Sequence, residues 1–324
     1  MYAFCTYFDK NYLLRGLTLF RSLAKYLNDF KFFIICLDDY TYSLVIRLKI
    51  PQIFAIPLSE IEAYDPELKR VKATRKLIEY YFTLTPVIPL YIVEKNPELN
   101  MITYLDADLF FYNNPQPIYD AQGENSVLII PHRFPQHLSY LENRGRYNVQ
   151  FINYKNDEIG RACLQHYKQQ CLEWCYDYLE DDRYADQKYL DAWPQQFPKV
   201  KVLEHKGAGL APWNWMQYDI NIDGKLNKAR VDGQELIFYH FHGLKLMSAR
   251  LINHGLGDYD AFMPRSLLMF FYKNYINSLK ETDIWLQSFL DTAGHFFYSD
   301  MRYSTDWFYQ AMRGFYKRNL MIVN

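Results

Sequence analysis

At 324 residues, half of them apolar, the chain can bury a large core in one big domain or two of ordinary size. Lys plus Arg number 36 against 37 Asp plus Glu, and a formal charge of −1 offers no general attraction for nucleic acid, so a nucleic-acid partner is disfavoured. Five cysteines, Cys5, Cys36, Cys163, Cys171 and Cys175, form an odd set without Cys-x-x-Cys spacing, which speaks for reduced thiols and against a disulfide or zinc framework. Residues 2 to 8 read as a strand, with no secretion signal ahead of them, and Asn11 to Tyr26 as an amphipathic helix with Leu14, Leu17, Phe20 and Leu23 on one face. Strands follow at Lys31–Leu37 and Ile53–Pro57, then a helix with Ser59 as its N-cap and a longer helix over Val71–Thr85. The apolar stretch Tyr80–Val93 contains Pro86 and Pro89 and falls short of a membrane span. Alternation of strands and helices predicts an α/β fold, a parallel sheet with helices on its faces. Further strands are expected at Ser126–Ile130, Tyr147–Tyr154, Val200–His205 and Leu236–His240, a long helix over Glu158–Glu180, and helical, aromatic periodicity from Leu246 to Asn324.

The run Ile102-Thr103-Tyr104-Leu105-Asp106-Ala107-Asp108 ends a buried strand on two carboxylates with nothing basic beside them. The two-residue strand period points Asp106 and Asp108 to one side, where they repel each other unless a hard cation sits between them. The plainer alternative makes them turn and cap carboxylates at a strand end. In open sheets, ligands bind beyond the carboxyl ends of the strands, which is where this pair would lie. Carboxylate oxygens suit Mg²⁺ or Mn²⁺, ions that neutralise a diphosphate. His240 and His242 alternate on a later strand before Gly243, and an imidazole in the set tilts the choice toward Mn²⁺. Lys245 can meet a phosphate as a point charge. Asp186 and Gln187 follow the acidic run Glu180-Asp181-Asp182, where a solvated helix start is the competing explanation.

In this order, Cys5-Thr6-Tyr7, Leu105-Asp106-Ala107-Asp108, Tyr147-Asn148-Val149-Gln150, Asp186-Gln187 and His240-x-x-Gly243 resemble GT-A glycosyltransferases, particularly the glycogenin-like and galactosyltransferase-like enzymes of family 8. The pattern is also similar to that of bacterial glycosyltransferases found with surface-polysaccharide genes. The resemblance implies a GT-A fold, a Rossmann-like, mostly parallel mixed sheet flanked by helices. A catalytic domain over 1–250 and a helical, aromatic-rich C-terminal extension over 251–324 are expected, packed on each other. It further implies that Asp106, Asp108 and His240 bind Mn²⁺ or Mg²⁺, which grips the diphosphate of a nucleotide sugar, a UDP-sugar by preference. Thr6 and Tyr7 would meet the base or ribose, and Arg75 the sugar or phosphate side of the donor. Asn148 and Gln150 would line the sugar pocket, Asp186 would hold sugar hydroxyls, and Gln187 would sit by the anomeric carbon. Gly243 and Lys245 would complete the donor site. Lys245 stands five residues after His240 where the family usually has six, and Gln150 stands where the family often has glycine. His242 lies on the same strand face as His240, and the spacing to Gly243 favours His240.

The implied reaction is transfer of a hexosyl group to an acceptor hydroxyl, with retention of configuration, for surface polysaccharide or lipopolysaccharide. The acceptor would be a saccharide or a lipid-linked saccharide. The chain is expected in the cytoplasm, and the basic aromatic stretch Trp307–Asn324 reads first as an ordinary packed helix with a solvated basic edge, with peripheral contact at the inner membrane face as the alternative. Trp213 and Trp215 suit sugar stacking or packing, and His132-Arg133 a cationic contact to the acceptor. Two other classes compete. A non-catalytic nucleotide-sugar binding protein would keep the aspartates and His240, and a haloacid-dehalogenase-type phosphatase would want Thr or Val where Phe110 stands.

Overall fold

The computed structural model describes residues 1–224, 228–248, 250–289 and 305–323, with the side chains of 305, 306 and 308 not included. The described chain forms two compact units, each assembled from separate stretches. The first takes Met1–Asp9, Leu27–Asp106 and Pro115–His205, and the second Lys10–Tyr26, Ala107–Asn114 and Lys206–Asn324.

The first unit holds a seven-stranded sheet of β1 (Tyr2–Phe8), β2 (Phe30–Cys36), β3 (Ile53–Pro57), β4 (Met101–Leu105), β6 (Val127–Pro131), β7 (Tyr147–Lys155) and β8 (Val200–Val202). Its order is β3–β2–β1–β4–β7–β6–β8. The first four strands are mutually parallel, β7 is antiparallel to both β4 and β6, and β8 is parallel to β6. β1, β2 and β4 are nearly unbroken buried runs, the pattern of a sheet covered on both faces. β7 pairs with β4 in the register Leu105↔Phe151, which lays Asp106 beside Gln150.

Helices Leu77–Lys95 and Glu158–Glu173 supply Tyr80, Leu84, Val87, Ile88, Leu164 and Tyr167 to one core cluster with Ile102, Tyr104 and Ile152 of the sheet. The first of these helices runs ten residues beyond the expected end at Thr85, through Pro86 and Pro89. Every residue from Thr83 to Val93 is buried, and that burial outweighs a local proline cost of about 3 kcal/mol. Ser59 is not the N-cap expected of it, for helix Leu58–Tyr64 starts behind Pro57 without a side-chain cap. The Glu158 helix stops at Glu173, short of the expected Glu180, because its terminal carbonyls are taken: the Arg75 guanidinium donates to the carbonyls of Cys171 (2.7 Å) and Leu172 (2.8 Å). At its other end Asp157 accepts from the Gly160 N–H at 2.8 Å, and Gly160 passes so close to the Lys155 carbonyl that a Cβ would sit 2.1 Å from it.

In the second unit, β9 (Ile220–Asp223), β10 (Lys228–Val231) and β11 (Gln234–Glu235) form a small antiparallel sheet, and β5 (Leu109–Phe111) pairs antiparallel with β12 (Phe238–His240), setting His240 opposite Leu109. Phe241 and Tyr275 stack at 3.8 Å in an aromatic core that includes Tyr239, Phe271 and Tyr272. Helix Leu13–Ala24 is fixed to helix Asn274–Gln287 through Thr18 and Arg21, both bonded to Thr282 at 2.9 Å. The stretch from Leu246 is not helical throughout, as periodicity suggests: β13 (Lys245–Leu246), β14 (Leu251–Asn253) and β15 (Leu320–Ile322) form an antiparallel sheet. Of the expected extension, 290–304 and Asn324 lie outside the described residues, as does the Phe308 side chain. Among the described residues, no helix is long and apolar enough to cross a membrane.

Candidate functional site

The strand that carries the motif ends at Leu105, so Asp106 and Asp108 belong to the turn between β4 and β5 rather than to a strand face. The backbone holds them in place. Asp106 N–H donates to the Gln150 carbonyl at 2.9 Å, and Phe241 N–H to the Asp108 carbonyl at 3.0 Å. Asp108 Oδ1 lies 3.0 Å from His240 Nε2, and His240 is 2% exposed. Asp106, Asp108 and His240 each offer one ligand atom, and those atoms lie within 4.8 Å of one another. Two carboxylates and a buried imidazole are a donor set that fits a hard to borderline divalent cation. Burial alone would raise the Asp108 carboxyl, but the charge and hydrogen bond of His240, with help from His242 and Arg15, hold it below the usual carboxylate range.

Trp213, itself 2% exposed, packs edge-on against both His240 (5.5 Å) and His242 (5.6 Å), so its indole steadies the imidazoles. His242 is solvent-exposed. Gly243 turns the chain with φ +74°, in open space where backbone conformation and not crowding asks for glycine. Lys245 donates to Gln310 Oε1 at 2.6 Å.

A second group of predicted residues gathers in the first unit. Asp186 is 3% exposed, and its Oδ2 finds no hydrogen-bond partner among the described residues. Burial pushes its carboxyl up to about 7; the charge of Asp106 adds to the rise and the hydrogen bond with Thr85 opposes it. Gln187 Nε2 donates to the Arg144 carbonyl at 3.0 Å. Gln150 is fully buried, and neither end of its amide finds a partner among the described residues. Asn148 Oδ1 accepts from the Gln150 N–H (2.8 Å), which turns its amide nitrogen to His132 Nε2 (2.7 Å). His132 is therefore buried against Asn148, and Arg133 donates to the carbonyls of Leu203 and His205. Thr6 is fully buried, with its hydroxyl also unmatched among the described residues. Arg75 stands apart from these groups, at the end of helix Glu158–Glu173.

Sequence reasoning passed over two contributors. Tyr104 donates to Asp106 Oδ1 at 3.0 Å, and its place two residues before Asp106 on an alternating strand was the available signal. Thr85 carried none, and His132, singled out for the acceptor, is found against Asn148.

No family model matches the chain. The protein YfnF of Bacillus subtilis (strain 168), named as uncharacterised, is 35% identical over 254 residues, spanning 76% of this chain and 82% of YfnF. YfnD of the same organism, also named as uncharacterised, is 29% identical over 299 residues, 91% of this chain and 94% of YfnD. Among solved structures, the galactosyltransferase LgtC in complex with donor and acceptor sugar analogues superposes with a TM-score of 0.51 at 14% identity, over 74% of this chain and 87% of LgtC. At that identity the likeness speaks for the fold, which is the α/β GT-A arrangement.

Proposed function

The chain belongs to the family of Bacillus subtilis YfnF, and from its GT-A fold and its donor set we propose that it is a metal-dependent glycosyltransferase using a nucleotide-diphosphate sugar, by preference a UDP-sugar. The observation that carries this reading is the convergence of Asp106, Asp108 and His240 at the carboxyl end of β4. These three would hold Mn²⁺ or Mg²⁺, and the ion, when bound, would supply positive charge to the diphosphate leaving group. The chain's own groups do the rest. Asn148 and Gln150 would line the sugar pocket, with the unmatched Gln150 amide as a ready hydrogen-bonding group. Asp186 would accept a sugar hydroxyl, and the Gln187 side chain would stand by the anomeric carbon. Gln187 is a poor nucleophile, which favours front-face transfer with retention, the leaving phosphate taking the acceptor proton.

The acceptor would be a saccharide or lipid-linked saccharide of a surface polymer. Supporting a membrane-borne acceptor, helix Thr305–Tyr316 leaves Tyr309, Met312, Phe315 and Tyr316 exposed by 55 to 84%. Phe315→Glu with Tyr316→Glu should abolish flotation with anionic liposomes; unchanged flotation would end the membrane reading. The main reading is tested by thermal stabilisation against UDP-, GDP-, ADP- and CMP-sugars with and without Mn²⁺, since a ligand that binds only the native state raises its stability. A Mn²⁺-dependent shift with one nucleotide is expected, and no such shift with any of them would sink it.

A further inference from the structure

A groove of about 740 Å³, within the range of ligand clefts, opens on the first unit where residues 142–146, the end of helix Glu158–Glu173 and the short helix Gln187–Ala192 meet. Its polar groups are held in fixed positions. Lys188 and Asp191, three residues apart on one face of the short helix, pair at 2.9 Å and are only 15% and 19% exposed. Asp191 Oδ1 also accepts from the Arg146 N–H at 2.7 Å, and Lys188 Nζ donates to the Glu142 carbonyl at 3.3 Å. The Arg146 guanidinium lies 3.8 Å from the Glu142 carboxylate. Tyr189 commits its hydroxyl to the carbonyls of Trp174 (2.7 Å) and Gln170 (3.3 Å), which leaves its ring to the groove. Gln170 Oε1 is buried with no hydrogen-bond partner among the described residues.

These groups select the chemistry of an occupant. Glu142, Asp182 and Asp191 outnumber Arg146 and Lys188, and each base already faces an acid, so a phosphate or nucleotide meets no net attraction. A cation gains little for the same reason, and among the described residues the metal-binding arrangement is that of Asp106, Asp108 and His240. An apolar peptide or acyl chain would strand the fixed ions out of water without partners. Hydroxyls suit them, because an O–H donates to the paired carboxylate while its oxygen accepts from the paired ammonium or guanidinium. A neutral saccharide presents hydroxyls in rows, with C–H faces that pack on an aromatic ring such as that of Tyr189. Gln170 Oε1 is an acceptor still lacking its donor.

The wall of the groove is also the seat of Gln187. Gln187 Nε2 donates to the Arg144 carbonyl at 3.0 Å, and Gly145, at φ +130°, lies so near that a Cβ there would stand 3.3 Å from Gln187 Cγ. The same turn runs on into the strand that carries Asn148 and Gln150. A chain held by Arg146, Lys188 and Asp191 is therefore anchored beside the residue proposed to stand by the anomeric carbon.

We infer that this groove is a binding site for a neutral saccharide chain, and that it holds the part of the acceptor that does not react. The identity of the occupant as acceptor rests on the glycosyl-transfer reading above, whereas the binding of a saccharide does not.

Isothermal titration of the full-length protein, without Mn²⁺ or nucleotide, uses disaccharides and longer neutral oligosaccharides of glucose, galactose and mannose as probes. One series should bind, more tightly as the chain lengthens. Arg146→Ala, whose side chain is 67% exposed and outside the core, and Gln170→Ala should each weaken that binding about tenfold, the loss expected of a hydrogen bond to the ligand, with the thermal midpoint held. In transfer assays with Mn²⁺, both variants should raise KM for the longer acceptor relative to its disaccharide. No binding by any series, or equal binding by wild type and both variants, would overturn the groove while leaving Mn²⁺-dependent transfer standing. Binding that is lost in the variants, in a protein that transfers sugar to none of these probes, would uphold the groove and overturn its assignment to the acceptor.

Discussion

Asp186→Asn should make the metal-free protein more stable at alkaline pH while it abolishes transfer. Asp186 is 3% exposed, and its carboxyl rises from 3.8 to about 7 in the folded chain, chiefly because burial disfavours the charge. A raised acid is bound more tightly to its proton in the native state, so the unfolded chain sheds that proton first. Stability from this group is therefore complete below the unfolded value of 3.8 and is lost as pH climbs toward about 7. At about 1.4 kcal/mol per pH unit the loss reaches about 4 kcal/mol, an upper figure because a partner or water can relax toward the charge. Asn cannot ionise, so this pH dependence is absent from the variant. Urea unfolding of wild type and Asp186→Asn, compared from about pH 4 to pH 8, should give curves that coincide at the acid end and separate in favour of Asn at the alkaline end. A separation independent of pH, or a wild type more stable at the alkaline end, would refute the argument from burial.

Gln150→Leu should raise the urea midpoint, because it removes a fully buried amide with both ends unmatched among the described residues, a cost of about 1–3 kcal/mol, and it should weaken donor binding. A lower midpoint would show that the amide is satisfied. Arg75→Ala should destabilise by about 3 kcal/mol by uncapping Cys171 and Leu172. Loss of donor binding at unchanged stability would instead put Arg75 on the donor. Gly160→Ala sets a Cβ 2.1 Å from the Lys155 carbonyl and should cost about 2 kcal/mol or more of stability, read by thermal unfolding, with Mn²⁺ affinity unaltered.

The parallel half of the sheet is legible in the chain because β1, β2 and β4 are apolar runs separated by helical periodicity. The same local signals misjudge the Leu77–Lys95 helix, since Pro86 and Pro89 act on the backbone while the burial that overrides them comes from the sheet. The β13–β14–β15 sheet is invisible for another reason: Leu251 pairs with Ile322, and three-residue strands that meet across so long a separation carry too few alternations to announce themselves. At the candidate site, Asp106, Asp108 and His240 announce themselves through chemistry and spacing. Their supports do not. Trp213 beside the histidines, His132 behind Asn148 and Thr85 behind Asp186 are contacts made by folding, and residue type alone cannot foretell them.

The most direct measurement is release of UDP from a panel of UDP-sugars by the full-length protein with Mn²⁺, supplied with a bacterial saccharide and lipid extract as acceptor. The account predicts release with one sugar, lost on chelation and lost in Asp108→Asn, with the sugar recovered on the acceptor in unchanged anomeric configuration. Release by Asp108→Asn equal to that of the wild type, or no release with any sugar of the panel, would contradict it.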